Sequence, residues 1–307
     1  MHKQLENKRD SFIFRFTEYI LRGRREAVLV ALIATLAPFL AWLGTVVMCF
    51  ITLRKGAKEG FLILLWLALP SVIIGLSYKS GFFIIQSVLF NGLFIWCLAL
   101  TLRSTAAWST VVELVVLLGV VAVVVINLYL GDSQQYWLAF FQQYMTLFDN
   151  LLSSPADSQA IMPLIVILTK YMTGIKVSSM LLSGLISLGF ARWLQSVRFN
   201  PGGLSQELRT VRLSWVSIGF LIIVLIGAYA QISYAYDLLL VLVLPCFLVG
   251  VSLAHFFADL TKHTKLLLFT FYGVLIVLFL QSVSGLISLL MLIAVADTAV
   301  NMRKRFL

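Results

Sequence analysis

The chain has 307 residues, 61% of them hydrophobic and 12% charged, with a formal charge of +10. A soluble domain holds roughly a quarter charged residues, so this composition excludes a single water-facing core and points to a polytopic membrane protein. Lys and Arg stand in short groups at the edges of apolar runs, not in one aromatic-studded stripe, which argues against nucleic acid and for anionic lipid headgroups as the partner.

Three stretches, 104–169, 213–261 and 266–302, contain no Lys or Arg. Basic groups at the N-terminus, at Arg54, Lys55 and Lys58, between Arg192 and Arg212, at Lys262 and Lys265, and at Arg303, Lys304 and Arg305 mark the cytoplasmic side. Both termini are therefore expected on the cytoplasmic side of the membrane, with residues 131–158 on the opposite side. Residues 1–26 hold seven basic residues ahead of the first apolar run and read as an uncleaved anchor, since no small-x-small site follows. Within them Phe12, Phe16, Tyr19 and Ile20 recur at helical spacing among Arg9, Arg15, Arg22 and Arg24. That pattern suits a basic amphipathic helix on the inner leaflet, and equally a basic tail that only sets orientation. A single transmembrane domain is expected over 27–307.

The first apolar run, 27–53, lies between two basic groups, and one crossing would place them on opposite sides. A hairpin broken near Pro38 removes the conflict. Ala27, Ala31, Ala34, Ala37 and Ala41 give this run small-xxx-small pairs, which admit a second helix from this chain or from a membrane partner subunit. A span over 59–78, with Pro70 inside, precedes spans over 82–102 and 107–130. Trp137, Phe140, Phe141, Tyr144, Leu147, Phe148 and Leu151 then follow helical spacing, predicting an external interfacial helix near 133–152 that serves as a lid or as an aromatic anchor. The run 160–197 is interrupted by Lys170, Thr173, Gly174 and Lys176, and divides into a short piece over 160–172 and a span over 177–197. Spans over 213–234 and 238–259 come next. The last run, 266–302, is interrupted at Gln281, Ser282, Ser284 and Gly285, and reads as two half-length helices returning to the cytoplasm. A tilted single crossing stays open for both terminal runs. The fold class is an all-α helical bundle with about eight to ten membrane segments.

Nothing in the chain matches GxxxxGK[ST], GxGxxG opening a helix, HExxH or GxSxG, so no enzyme activity and no cofactor are expected. Cys49, Cys97 and Cys246 lie in separate apolar segments without a CxxC and read as small hydrophobes. Ionisable residues at membrane depth are the remaining candidates for a substrate or ion site. Glu113 stands about two turns into its span, where it binds a cation or pairs with Arg103. Lys170 and Lys176 flank Gly174 at a helix break, facing an anionic group or snorkelling to an interface. His255 and Asp259 share a helix face but are too few for a metal site, and none is expected. Asp297 and Asn301 repeat that spacing, with Arg305 below them as the expected ion-pair partner.

The segment Ala191-Arg192-Trp193-Leu194-Gln195, continuing through Asn200-Pro201-Gly202-Gly203 to Glu207 and Arg209, resembles the most recognisable stretch of the YybS-like family of bacterial membrane proteins. Asp297-Thr298 before the basic C-terminus resembles that family's ending. The resemblance implies a distant similarity to the S components of energy-coupling-factor vitamin transporters and to the shape-determining protein MreD. It therefore implies either binding or transport of a small molecule, or a scaffold role, and it makes the alanine-rich first helix a docking surface. No vitamin-binding signature is present. Read physically, Asn200-Pro201-Gly202-Gly203 is a tight turn after a span, and Glu207 is placed to pair with a nearby arginine. Arg192, Gln195, Asn200, Gly202 and Glu207 are accordingly the candidates for a docking or gating loop.

Overall fold

A computed structural model describes residues 12–37, 40–77, 88, 92–149 and 155–305. Among these residues there are fourteen α-helices and no strand. In chain order they are α1 (Phe12–Arg22), α2 (Arg24–Leu36), α3 (Ala41–Lys55), α4 (Ala57–Ser77), α5 (Ile95–Thr105), α6 (Trp108–Leu130) and α7 (Ser133–Asp149). There follow α8 (Pro155–Thr169), α9 (Met172–Phe199), α10 (Gly203–Leu208), α11 (Trp215–Tyr229), α12 (Ser233–Leu260), α13 (Thr264–Gln281) and α14 (Val283–Val300). A 3₁₀ turn over Met302–Arg305 closes the chain. Six of the described helices, α4, α6, α9, α12, α13 and α14, are long and apolar enough to cross a membrane, while 92–105 and α11 are shorter apolar helices.

The helices gather into two compact units. The first contains residues through Val111 together with Met180–Val211. Its first apolar run forms two helices, α2 and α3, that pack on each other, as the charge rule requires of a hairpin; Pro38 lies outside the described residues. Ala27, Ala31 and Ala34 are buried, and a Cβ on Gly44 of α3 would come within 3.2 Å of the Ala31 carbonyl oxygen. The small-residue stripe thus brings two helices of this chain together, the close approach such residues permit. Gly60 plays the same part between α4 and α3, since a Cβ there would sit 2.8 Å from the Thr52 Cβ. Pro70 lies inside α4 without ending it. Only the later part of the expected 82–102 span is described, as residues 92–105.

The second unit contains Val112–Ser179 and Arg212–Leu307. The expected break inside 160–197 falls at Lys170 and Tyr171, between α8 and α9. A helix, α7, stands where one was expected; its Trp137 is buried, and Trp137, Phe140 and Tyr144 make successive ring contacts along it. Two boundaries differ from the sequence reading. The span expected over 213–234 is α11, only 15 residues long, because Gln231 takes a left-handed backbone with φ 60° and ends it. The following helix then starts at Ser233 and runs for 28 residues, so Asp237 lies inside a helix instead of in a loop. At the end of the chain, α13 and α14 are not half-length. Each has 18 residues, about 27 Å at 1.5 Å per residue, and a single residue, Ser282, separates them. Its hydroxyl accepts the Gly285 N–H, capping α14.

Candidate functional site

The second unit holds a buried polar cluster where the first turns of α9 and α12 meet. Asp237 is 3% exposed, and its Oδ1 accepts the Gly174 N–H at 2.7 Å. The carboxylate therefore caps the N-terminal turn of α9, satisfying a donor that has no partner within the helix. Gly174 is required by the approach of the two backbones, since a Cβ there would lie 2.6 Å from the Asp237 carbonyl oxygen. Beside Gly174, the buried Thr173 hydroxyl accepts the Trp137 indole N–H at 3.0 Å, tying α7 to the same corner. Tyr171 and Tyr236 stack edge to face at 5.6 Å next to it.

Asn127, near the end of α6, completes the cluster. Its side chain lies beside the Asp237 carboxylate, its Nδ2 donates to the Val123 carbonyl at 2.9 Å, and its Oδ1 is buried without a hydrogen-bond partner. An amide oxygen left without a donor next to a carboxylate is a pair of acceptors that favours something carrying a donor or a positive charge. Neither residue was singled out from sequence. Asn127 was detectable as the one amide side chain in the 23-residue helix α6, in the apolar stretch that follows Glu113, whereas Asp237 was hidden by the boundary drawn between two runs.

Glu113 is placed differently. Its Oε1 accepts the Ser214 N–H at 2.6 Å and its Oε2 accepts the Ser217 hydroxyl, while Ser214 itself caps α11 by accepting the Ser217 N–H at 3.2 Å. The carboxylate is engaged in starting α11. Arg103, the alternative partner, donates to the carbonyls of Thr52 and Leu53 at 3.0 and 2.9 Å, closing the C-terminal end of α3. Lys170 is exposed at the break, and Lys176 is half-buried one turn into α9. His255 Nε2 lies 3.1 Å from the Tyr272 hydroxyl, and Asp259 is exposed near the end of α12. Among the described residues no three His, Cys, Asp or Glu side chains group as metal ligands.

In the first unit the loop candidates converge. Arg192 donates through Nε to Glu207 Oε2 at 3.0 Å and through an Nη to Glu207 Oε1, and its other Nη donates to Gln195 Oε1 at 2.6 Å. The Trp108 indole N–H adds a fourth bond, 3.2 Å to Glu207 Oε2. Both charged side chains are 20% exposed. Gly202 holds φ 87°, which glycine adopts without strain, and Asn200 packs its amide against Gly203. The Asn-Pro-Gly-Gly turn thus reverses the chain so that α10 returns Glu207 to Arg192.

A third charged group closes the last membrane helix. Asp297 is fully buried, with Arg212 and Arg303 nitrogens at 3.5 and 3.4 Å from its Oδ2. Arg212 also donates to Asn301 Oδ1 at 2.7 Å and to the Asp297 carbonyl at 2.8 Å. The ion-pair network expected at this helix end is present with Arg212 and Arg303 as cations; the side chain of Arg305, the partner expected from sequence, lies outside the described ones.

Among the described residues, fold and sites together define an all-α, multi-pass membrane protein with buried charge in the second unit and a partly buried ion pair in the first. No family model, curated protein or solved structure matches the chain.

Proposed function

We propose that this protein binds or moves a small molecule across a cytoplasmic membrane, in the manner of a transporter S component, and that the Asp237 cluster is the charged part of its site. The observation that carries this reading is a carboxylate buried among apolar helices with an unmatched amide acceptor, Asn127 Oδ1, beside it. Ionisable groups at membrane depth are costly and are kept where a solute or ion engages them. A carboxylate and an amide oxygen together select a ligand with an ammonium group, a hydrogen-bond donor or a metal-like cation. The resemblance of 191–209 to YybS-like proteins supports the same reading. Mass spectrometry of small molecules retained after mild detergent extraction tests it: wild type retains a cationic or donor-bearing solute, and Asp237→Asn loses it while keeping its helical content. Identical retention in both proteins would sink the assignment.

A second reading, an MreD-like scaffold, is favoured by the ordered Arg192–Glu207–Trp108 corner and by exposed Trp193, Phe199 and Leu208 around it. On that reading native purification yields a stable membrane partner, and substitution of Trp193 or Leu208 releases it while solute retention is unaffected.

A further inference from the structure

The first unit gathers two arginines on one phenylalanine. Arg54, in the last turn of α3, stands 3.7 Å over the Phe199 ring, and Arg198, in the last turn of α9, stands 5.5 Å from the same ring and 4.7 Å from the Phe14 ring of α1. The two guanidinium carbons are therefore no more than about 9 Å apart, close enough for both to reach one phosphate. The Arg198 Nη1 is buried and has no hydrogen-bond partner, so a donor of a strong cation is left unmatched.

Among the described residues no carboxylate answers these charges. Glu59 is taken by Arg24, Glu207 by Arg192 and Trp108, and Glu26 folds back over Gly23. Glu18, exposed on α1, forms no ion pair with a described residue. Two stacked arginines without a carboxylate partner among the described residues, and with an orphaned donor, form a fork for a tetrahedral oxyanion. What lies beside the fork decides the kind of anion. Leu182, Ile186, Phe190, Trp193 and Val197 are all exposed on α9 and, at spacings of three and four, make one apolar track that ends at Arg198. A phosphate followed by a long apolar surface is the shape of a lipid.

We propose that Arg54 and Arg198 bind the headgroup phosphate of an anionic membrane lipid, with Phe199 as the platform between them and an acyl chain along the α9 track. The site is distinct from the Asp237 cluster and does not depend on the reading given to it. It converts a general attraction of basic residues for anionic headgroups into a defined stoichiometric position.

Native mass spectrometry of the detergent-solubilised protein, titrated with phosphatidylglycerol and with phosphatidylcholine, tests the proposal. Wild type retains one phosphatidylglycerol in preference to phosphatidylcholine. Arg54→Gln and Arg198→Gln each weaken that binding about fivefold, the effect of one basic residue on an anionic headgroup, and Arg198→Lys recovers only part of it because a lysine lacks the planar fork. Arg25→Gln, on the exposed first turn of α2, leaves binding unchanged. Circular dichroism of each variant confirms that the helices remain. Equal retention by wild type and the Arg54→Gln, Arg198→Gln double variant would overturn the site. Equal loss in Arg25→Gln would also overturn it, by reducing the effect to net charge. Displacement of the lipid by millimolar inorganic phosphate or glycerol phosphate would overturn the lipid assignment in favour of a free phosphate ligand.

Discussion

At the scale of single residues, Arg192 ties its corner together with three hydrogen bonds. Its removal leaves Glu207, one-fifth exposed, with only the Trp108 indole as a described partner, and removal of Glu207 leaves Arg192 only Gln195. A hydrogen bond to a charged group contributes about 1.5–3 kcal/mol when desolvated, and partial exposure discounts it, so Arg192→Ala is expected to cost about 1–2 kcal/mol. Denaturant unfolding in micelles checks this. The double variant Arg192→Ala, Glu207→Ala should cost less than the two single changes together, and strict additivity would show that the pair is not coupled. That Glu207 pairs with an arginine was legible from the turn between them. The partners of Glu113 were not, because Ser214 and Ser217 lie about a hundred residues away in sequence and no local spacing announces them. Asp237 was missed for a related reason: hydropathy placed it between two runs, while the helix boundary was fixed by the backbone of Gln231.

At the scale of helix pairs, close approach does the positioning, and its weak points are glycines. Placing a methyl group on Gly174 brings it 2.6 Å from a backbone oxygen of Asp237, which cannot rotate away as a flexible side chain would. Overpacking of this kind costs about 1–3 kcal/mol. Gly174→Ala should therefore lower the melting temperature of the purified protein and also shift α9 from the Asp237 carboxylate, so that solute retention falls with it. Gly189→Ala is the internal control, since nothing lies within 4 Å of a Cβ at that position in the same helix. Equal behaviour of the two variants would remove the close contact from the argument. That α2 and α3 are two packed helices was legible because the basic groups on both sides of the run favour a hairpin over a single crossing. The full length of α13 and α14 was not, because Gln281, Ser282 and Ser284 resemble an interruption midway along one span, whereas the helices need only one residue to change direction.

At the scale of the whole molecule, the pattern of charged groups predicts the threading of the second unit. In a background lacking Cys49, Cys97 and Cys246, a cysteine at Thr264 is expected to be protected from a membrane-impermeant thiol reagent on intact cells, while cysteines at Ser133 and Ser282 are labelled. Labelling of Thr264 with protection of both others would invert the orientation. Protection of Ser282 together with Thr264 would restore a pair of helices that turn back inside the bilayer.

The single-residue joint at Ser282 also bears on how the protein is made. No charged residue occurs between Lys265 and Asp297, and α13 has only one buried residue, Leu275, so its surface is acceptable to lipid before any partner arrives. Carrying the joint across costs only the transfer of Gln281 and a few hydroxyl groups. The two helices can leave the translocon together as a preformed hairpin, with Lys262 and Lys265 held behind on one strand and Arg303 and Lys304 on the other. On that threading, α13 and α14 are committed to the membrane only once Arg303 and Lys304 have been synthesised, and the Asp297 ion pairs would close after insertion.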